Sequence, residues 1–432
     1  MSTIVAVPMV VMPEIISSAT PIPNEPVVGE VEQFIRDAVA QMGPDQVERE
    51  RSGRGKPRIL PSLALWAGLL VCVLRGFSSK LELWRLLSSS QFWFYPRFPV
   101  SDEAVYDRLE SAGVAPMEGL FQQITGLLRE RLAPFAQKEL APFAIGVVAL
   151  DETTLDPIAR KLPTLREVPT GDKRLLPGKL AGLFDIRRQQ WIRVQYIRDP
   201  NQNDKVAARG MVERLLKGSL ILADRGYFGF AWFDTLSDLS YWWISRLRSK
   251  TSYTVIHLLY QNGETFDEIV WLGAHRADQA AHAVRLVRFR AGGTLYSYIT
   301  NVLDPEVLCL REIARLYARR WDIELAVNLV KTHLSLHLLW STKNVAIFQQ
   351  VLAVLIISQI LMALRMEIAG RAEADPFEVS MELLVRHLPQ YTYTGQYPVA
   401  AFVSMGRELR FIRPSTRTVI QAPEVPLDQI KP

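Results

Sequence analysis

The chain has 432 residues, 49% hydrophobic and 22% charged, with a formal net charge of +5. That is enough chain for two or three domains and a large core, and the composition excludes a disordered, fibrous or membrane-dominated protein. The two cysteines, Cys72 and Cys309, lie far apart in apolar surroundings. They exclude a disulfide framework or a cysteine-rich zinc site and fit a reducing compartment, while the positive charge suits a polyanionic partner without requiring one.

Residues 1–30 are proline-rich and expected to be disordered. They make a poor signal peptide, because no basic segment leads, Glu14 interrupts, and Pro8, Pro13, Pro21, Pro23 and Pro26 break the run. From Val31 to about Arg131 the pattern is helical, so 31–140 reads as a helical domain. Leu63–Leu74 is a buried apolar helix ending near Gly76. Ser79 and Glu82 form a capping box for a helix to about Ser90. Ser101 caps another through Asp102–Ala112, closed by Gly113. These short helices, preceded by Arg51, Arg54, Lys56 and Arg58, could form a helix-turn-helix-like DNA-binding unit or a plain bundle with a basic linker.

At Ile145–Leu150 the pattern turns to β and the run stops on Asp151. A basic loop with Arg160, Lys161, Arg166, Lys173 and Arg174 follows, then strands over Leu180–Ile186 and Trp191–Ile197. A helix near Lys205–Leu216 leads to a strand over Gly218–Ala223 that stops on Asp224. Two apolar strands thus each deliver an aspartate at the C-terminal end, the edge where α/β sheets place ligands. From about Trp242 to Thr300 the chain is strand-rich, with turns at Asn262-Gly263 and Gly292-Gly293. Helices return near Val307. The segment Ala346–Leu364 is apolar enough to suggest a membrane span, but Gln349, Gln350, Ser358 and Gln359 favour a buried core helix. The tail holds a helix near Phe377–His387 and a basic end with Arg407, Arg410, Arg413 and Arg417.

The run from Tyr317 to Lys331 has no Gly or Pro and reads as one helix. At about 100° per residue, Tyr317, Arg320, Glu324 and Lys331 fall on one arc roughly 60° wide. Leu316, Ile323, Val327, Val330 and Leu334 form the packing stripe beside it, and Asp322 points away. An aspartate at a strand end is more often a cap, and such a helix face is more often solvated surface. Neither reading explains why two strand ends and one helix converge on the same chemistry. Three carboxylates suit a hard divalent cation, and two such ions can run an in-line phosphoryl displacement. Arg320 and Lys331 would meet phosphate oxygens. The residues alone therefore point to a metal-dependent phosphodiesterase. Glu152 is turned away by strand alternation and Asp156 is set aside with it; His333 and His337 lack the Glu of a zincin motif.

These residues resemble a known family, the DDE transposases of bacterial insertion sequences, of the insertion sequence four type. Tyr317, Arg320, Glu324 and Lys331 meet its Tyr-Arg-Glu-Lys signature at every spacing, and Asp224-Arg225-Gly226-Tyr227 meets its second-aspartate motif. Leu150-Asp151-Glu152-Thr153-Thr154-Leu155 is a looser match to the first. The family often has an aromatic two or three residues after the glutamate, where this chain has Ala326 and Val327.

The resemblance, over about residues 60–370, implies an α/β fold: an RNase H-like catalytic domain over 141–370 with a strand-rich insertion at about 240–302, preceded by the helical N-terminal domain and followed by a helical, basic tail at 371–432. It implies that Asp151, Asp224 and Glu324 bind two magnesium ions, with manganese able to substitute. Tyr317, Arg320, Lys331, Arg225 and Tyr227 would contact phosphates, and Trp271, with Trp243 second, would stack a flipped base. Expected partners are the transposon's terminal inverted repeats, target DNA and a second copy of the chain, with no membrane. The expected setting is the bacterial cytoplasm, at the nucleoid when DNA is bound. The alternatives are a metal-dependent DNA nuclease without strand transfer, or a non-catalytic DNA-binding regulator on the same scaffold.

Overall fold

The computed structural model describes residues 30–42, 59–88, 92–93, 95–154, 178–197, 201–273, 277–334, 343–394, 398–417 and 419–431, with residues 167, 169, 199, 336, 340 and 341. The expectations for residues 1–29, Arg51, Arg54, Lys56, Arg58, Asp156, the basic loop from Arg160 to Arg174, His275 and His337 lie outside the described residues.

Among the described residues five helices come first: α1 (Glu30–Ala40), α2 (Ser62–Leu74), α3 (Lys80–Ser88), α4 (Asp102–Ala112) and α5 (Ala115–Arg131). Local chemistry sets their ends. The Ser79 hydroxyl accepts the N–H of Glu82, and Ser101 accepts that of Ala104. The Glu82 carboxylate turns to Arg85, so only half of the capping box forms. Gly113 closes α4 at φ 74°, a left-handed conformation that suits glycine.

Among the described residues nine strands form one sheet in the order β3-β2-β1-β4-β5-β9-β8-β7-β6. They are β1 (Val147–Thr154), β2 (Lys179–Asp185), β3 (Gln190–Ile197), β4 (Leu220–Ala223), β5 (Trp242–Arg246), β6 (Tyr253–Asn262), β7 (Thr265–Leu272), β8 (Val284–Ala291) and β9 (Thr294–Thr300). β1, β4 and β5 run parallel, and every other neighbouring pair is antiparallel. The strand-rich stretch at 240–302 therefore extends the sheet of the parallel strands rather than folding apart from it. Its hairpins turn where the sequence marks them, at Gly263 (φ 54°) and at Gly292 and Gly293 (φ 54° and 78°).

Alternation splits the sheet into two apolar faces. Val148, Leu150, Ile221 and Ala223 face α6 (Asp204–Val212) and α7 (Phe230–Asp238). Val147, Ala149, Leu220 and Leu222 face α8 (Leu310–Ala318), α9 (Trp321–Asn328) and α10 (Asn344–Arg371). That second core continues without a break into α1–α5, α11 (Met381–Thr394) and α12 (Pro398–Ser404).

Helix α10 is long and apolar enough to cross a membrane by length and composition, yet 83% of its most apolar window is buried inside the protein. Its polar residues pin it there. Gln349 donates to the Leu109 and Gly113 carbonyls at 2.7 and 2.6 Å, Gln359 donates to the Thr125 hydroxyl at 2.9 Å, and Gln350 accepts the Trp340 N–H.

Two expectations need correction. β1 does not stop on Asp151 but runs on to Thr154, because β2 still pairs with it there (Asp151 opposite Gly182, Thr154 opposite Lys179). The expected single helix through Tyr317–Lys331 is two helices and a π-turn. Between α8 and α9 the chain tightens into i→i−3 bonds, Arg320 N–H to Tyr317 O at 3.1 Å and Asp322 N–H to Arg319 O at 2.9 Å. After α9 a π-turn carries Leu329–His333. The packing stripe survives both changes, with Leu316, Ile323 and Val330 buried.

Candidate active site

Register places the two aspartates side by side. In the parallel ladder Leu150 pairs with Ala223, so Asp151 and Asp224 are the next positions on neighbouring strands. By alternation both lie on the face that α8 and α9 cover, the side of Val147, Ala149, Leu220 and Leu222. Glu152 turns the other way, as expected, and forms a buried pair with Lys179 at 2.5 Å.

Glu324 comes to the aspartates from α9. Its carboxylate accepts Arg320 Nη2 at 2.6 Å, across an i,i+4 step that survives the tightened junction. Electrostatics tie the group together. Asp151 is pushed up to about 6, chiefly by burial, with Glu324 and Asp224 adding to the rise while the Glu152 N–H and Arg320 oppose it. Burial works against the Arg320 charge, but Tyr317, Asp224 and Glu324 outweigh it and raise its pKa. Burial also pushes the Tyr317 phenol up to about 12, with the nearby Arg320 opposing the rise, so it stays a protonated donor at neutral pH.

The most informative atoms are those left over. Arg320 and Tyr317 are each 6% exposed. Among the described residues, Arg320 Nε and Nη1 and the Tyr317 hydroxyl are buried with no hydrogen-bond partner. Buried donors without partners cost stability and call for an explanation in ligand terms. Lys331 is differently placed: its ammonium donates to the Thr153 hydroxyl at 2.5 Å and holds the end of β1. Beside Tyr317 lies a groove of about 660 Å³ between Arg246, Tyr296, Tyr298, Trp321 and Arg417.

As the side chains stand, no three His, Cys, Asp or Glu among the described residues converge closely enough to hold an ion. Each acid is turned to a protein donor: Asp151 to the Glu152 N–H at 2.9 Å, Asp224 to the Arg225 N–H at 2.6 Å, and Glu324 to Arg320. In donor type, though not in their present orientation, the three suit a divalent cation. They offer hard oxygens, and the mutual repulsion that helps raise Asp151 is what a cation relieves.

The other expected site residues separate. Arg225 is exposed, while Tyr227 is 2% exposed in the core on the far face. Trp243 is 1% exposed and stacked on Phe233 at 4.2 Å, a core residue rather than a stacking platform. Trp271 is half-buried on β7 and donates its indole N–H to the Ala280 carbonyl at 2.8 Å. Asp322, expected to point away as a spectator, is 1% exposed and bonded on several sides, whereas Trp321 is 57% exposed. Nothing in the helical period flags Asp322, because its partners come from distant segments.

Residues 149–360 match the family model described as the transposase DDE domain. That span holds the whole cluster from Asp151 to Lys331. Among curated proteins, "Putative transposase y4zB" of Sinorhizobium fredii (strain NBRC 101917 / NGR234) is 26% identical over 168 residues. The alignment covers 37% of this chain and 46% of that relative, so it spans less than half of the relative's length. Among solved structures, the cryo-EM structure of a piggyBac transposase synaptic complex with hairpin DNA superposes with a TM-score of 0.42 at 9% identity, covering 92% of this chain and 84% of that one.

Proposed function

We propose that the protein is a metal-dependent DNA transposase of the insertion sequence four type. It cuts the DNA at transposon ends and transfers the freed strand into target DNA, on an RNase H-like catalytic unit. One observation carries the reading: Asp151 and Asp224 sit side by side with Glu324 close by, next to the buried Arg320 Nε and Nη1 and Tyr317 hydroxyl, which have no partner among the described residues. Carboxylates beside unclaimed cationic donors suit a phosphodiester, and the domain-family match agrees.

Asp151, Asp224 and Glu324 are the residues that would hold magnesium, or manganese in its place. When bound, the metal activates the attacking oxygen and steadies the leaving one. The chain's own residues do the rest. Arg320 presents Nε and Nη1 to two non-bridging phosphate oxygens, and Tyr317 donates its hydroxyl to the same group. Lys331 keeps Thr153 and the end of β1 in place, with its positive charge beside the acids. In the cut, a water oxygen bonds to phosphorus and the 3′-oxygen leaves as a free hydroxyl. In transfer, that 3′-hydroxyl attacks a target phosphate and displaces the target's own 3′-oxygen, so each step exchanges one P–O bond for another. The groove beside Tyr317 is where the DNA backbone would run. A second copy of the chain, stacking of a flipped base on Trp271, and end recognition by the helical region 31–140 and the basic tail 371–432 complete the proposal, with the protein at the nucleoid while DNA is bound.

A joining assay tests it, using precleaved ends from the DNA flanking the gene, a target plasmid and magnesium. The proposal expects ends joined to plasmid. Cleavage without joining would leave a nuclease, and binding without either would leave a regulator.

A further inference from the structure

Asp322 sits between Arg320 and Glu324 in sequence but belongs to a separate, buried set of contacts. Its carboxylate accepts Arg319 Nε at 2.7 Å and Gln189 Nε2 at 2.7 Å, and pairs with Arg417 at 2.8 Å. Arg365, from α10, joins through the Gln189 side-chain oxygen at 3.1 Å. The ring of Phe377 lies under all three guanidiniums, 5.2 Å from Arg319, 4.8 Å from Arg365 and 4.4 Å from Arg417. One buried carboxylate among three arginines is weak evidence for stability, since apolar packing would do that at less cost. Such sets are better understood by what they hold in place.

What this one holds is the tightened step between α8 and α9. Arg417 reaches across it, pairing with Asp322 on one side and donating to the Ala318 carbonyl on the other at 2.9 Å. Arg319 is anchored to Asp322 and to Gln137 at 2.8 Å, and Arg320 is the next residue. Gln189 enters the set from the β2–β3 turn at φ 56°, a left-handed conformation that a non-glycine residue adopts at a cost. A turn held so and a tail held so both converge on the one acid in the step.

We propose that the C-terminal tail, through Arg417 acting on Asp322, is a positioning clamp that sets the α8–α9 step and so the direction in which Arg320 and Glu324 face Asp151 and Asp224. Asp322 and Arg417 are positioning residues, since neither is a donor to the reacting phosphate. The catalytic consequence rests on the transposase reading; the clamp itself does not.

The test uses the full chain with Arg417→Gln, Arg417→Lys and Asp322→Asn. Hydrogen exchange of the backbone amides at 319–324 reads the clamp, and nicking at saturating DNA reads its consequence. Arg417→Gln is expected to speed exchange there about tenfold while the melting midpoint stays within about 3 °C of wild type. Its nicking rate at saturating DNA should fall about tenfold, and Arg417→Lys should recover part of the loss. Because Arg417 also lines the groove, the split is read at the buried Asp322: Asp322→Asn should slow nicking about as much with the half-saturating DNA concentration within about twofold, and the two substitutions together should be no worse than the more severe one. Unchanged exchange at 319–324, a general collapse of stability in Arg417→Gln, or additive losses in the double variant would overturn the clamp. A wild-type chain that never nicks overturns the functional reading instead, and the exchange and melting results then decide the clamp by themselves.

Discussion

Arg285 and Arg320 are both buried arginines on the frame of one sheet, each bonded to an acid, and they could hardly differ more. Arg285, on β8, is fully engaged: Nε and Nη2 meet Asp267 at 2.7 and 2.6 Å, and Nη1 donates to the Leu308 carbonyl at 2.6 Å. Arg320 meets Glu324 through Nη2 and leaves two buried donors without a partner among the described residues. Arg285 has its charge closed by the fold. Arg320 has its charge left open. A fold retains open buried charge where a ligand completes it, which is how stability and function trade against each other at a site.

The largest effect on the fold is expected at the closed pair. Asp267→Ala strands Arg285 in the core and should cost about 3–5 kcal/mol of unfolding free energy, read by denaturant melts. At the open pair the loss should move to catalysis. Arg320→Met is expected to slow strand cleavage by about 10²–10³-fold, as when one charge-stabilising donor is lost, while costing less stability than Asp267→Ala. Equal destabilisation by the two would erase the distinction.

Asp151 sharpens the comparison through pH. Its folded pKa, about 6 against an ordinary 3.8, is raised, so folding favours the protonated form. The stabilising contribution is thus complete below about pH 4 and lost as pH rises through about 6. In chelator at pH 7.5, Asp151→Asn should therefore be more stable than wild type by about 1–3 kcal/mol, with the gain vanishing near pH 4, while cleavage is lost. A variant less stable than wild type at pH 7.5 would show that Asp151 carries no burial cost. Smallest is Tyr317→Phe, which removes one unpartnered hydroxyl. It should weaken cleavage about fivefold, roughly 1 kcal/mol, without loss of melting temperature.

Much of this was legible in the sequence where the cause is local. Ser101 and Gly113 mark the ends of α4, Asn262-Gly263 and Gly292-Gly293 mark the hairpins, and the polar breaks in α10 mark a helix that bonds to protein. Asp151 and Asp224 were legible as a pair because apolar strands stop or change at them. What was not legible depends on long-range register. β1 continues past Asp151 only because β2 pairs with it, and Trp243 is core only because Phe233 covers it. Asp322 looks outward on a helical wheel, and it is buried because Gln189 and Arg417 arrive from distant segments. The wheel also assumed one straight helix, whereas i→i−3 bonding between α8 and α9 resets the phase at Arg320.

The most direct test of the central claim is nicking of DNA that carries the sequences flanking the gene, by purified wild type and Asp224→Ala, with magnesium and with chelator. The account predicts nicking by wild type only when the metal is present, and none by Asp224→Ala, with DNA affinity unchanged. Nicking by Asp224→Ala at the wild-type rate, or by wild type in chelator, would contradict it.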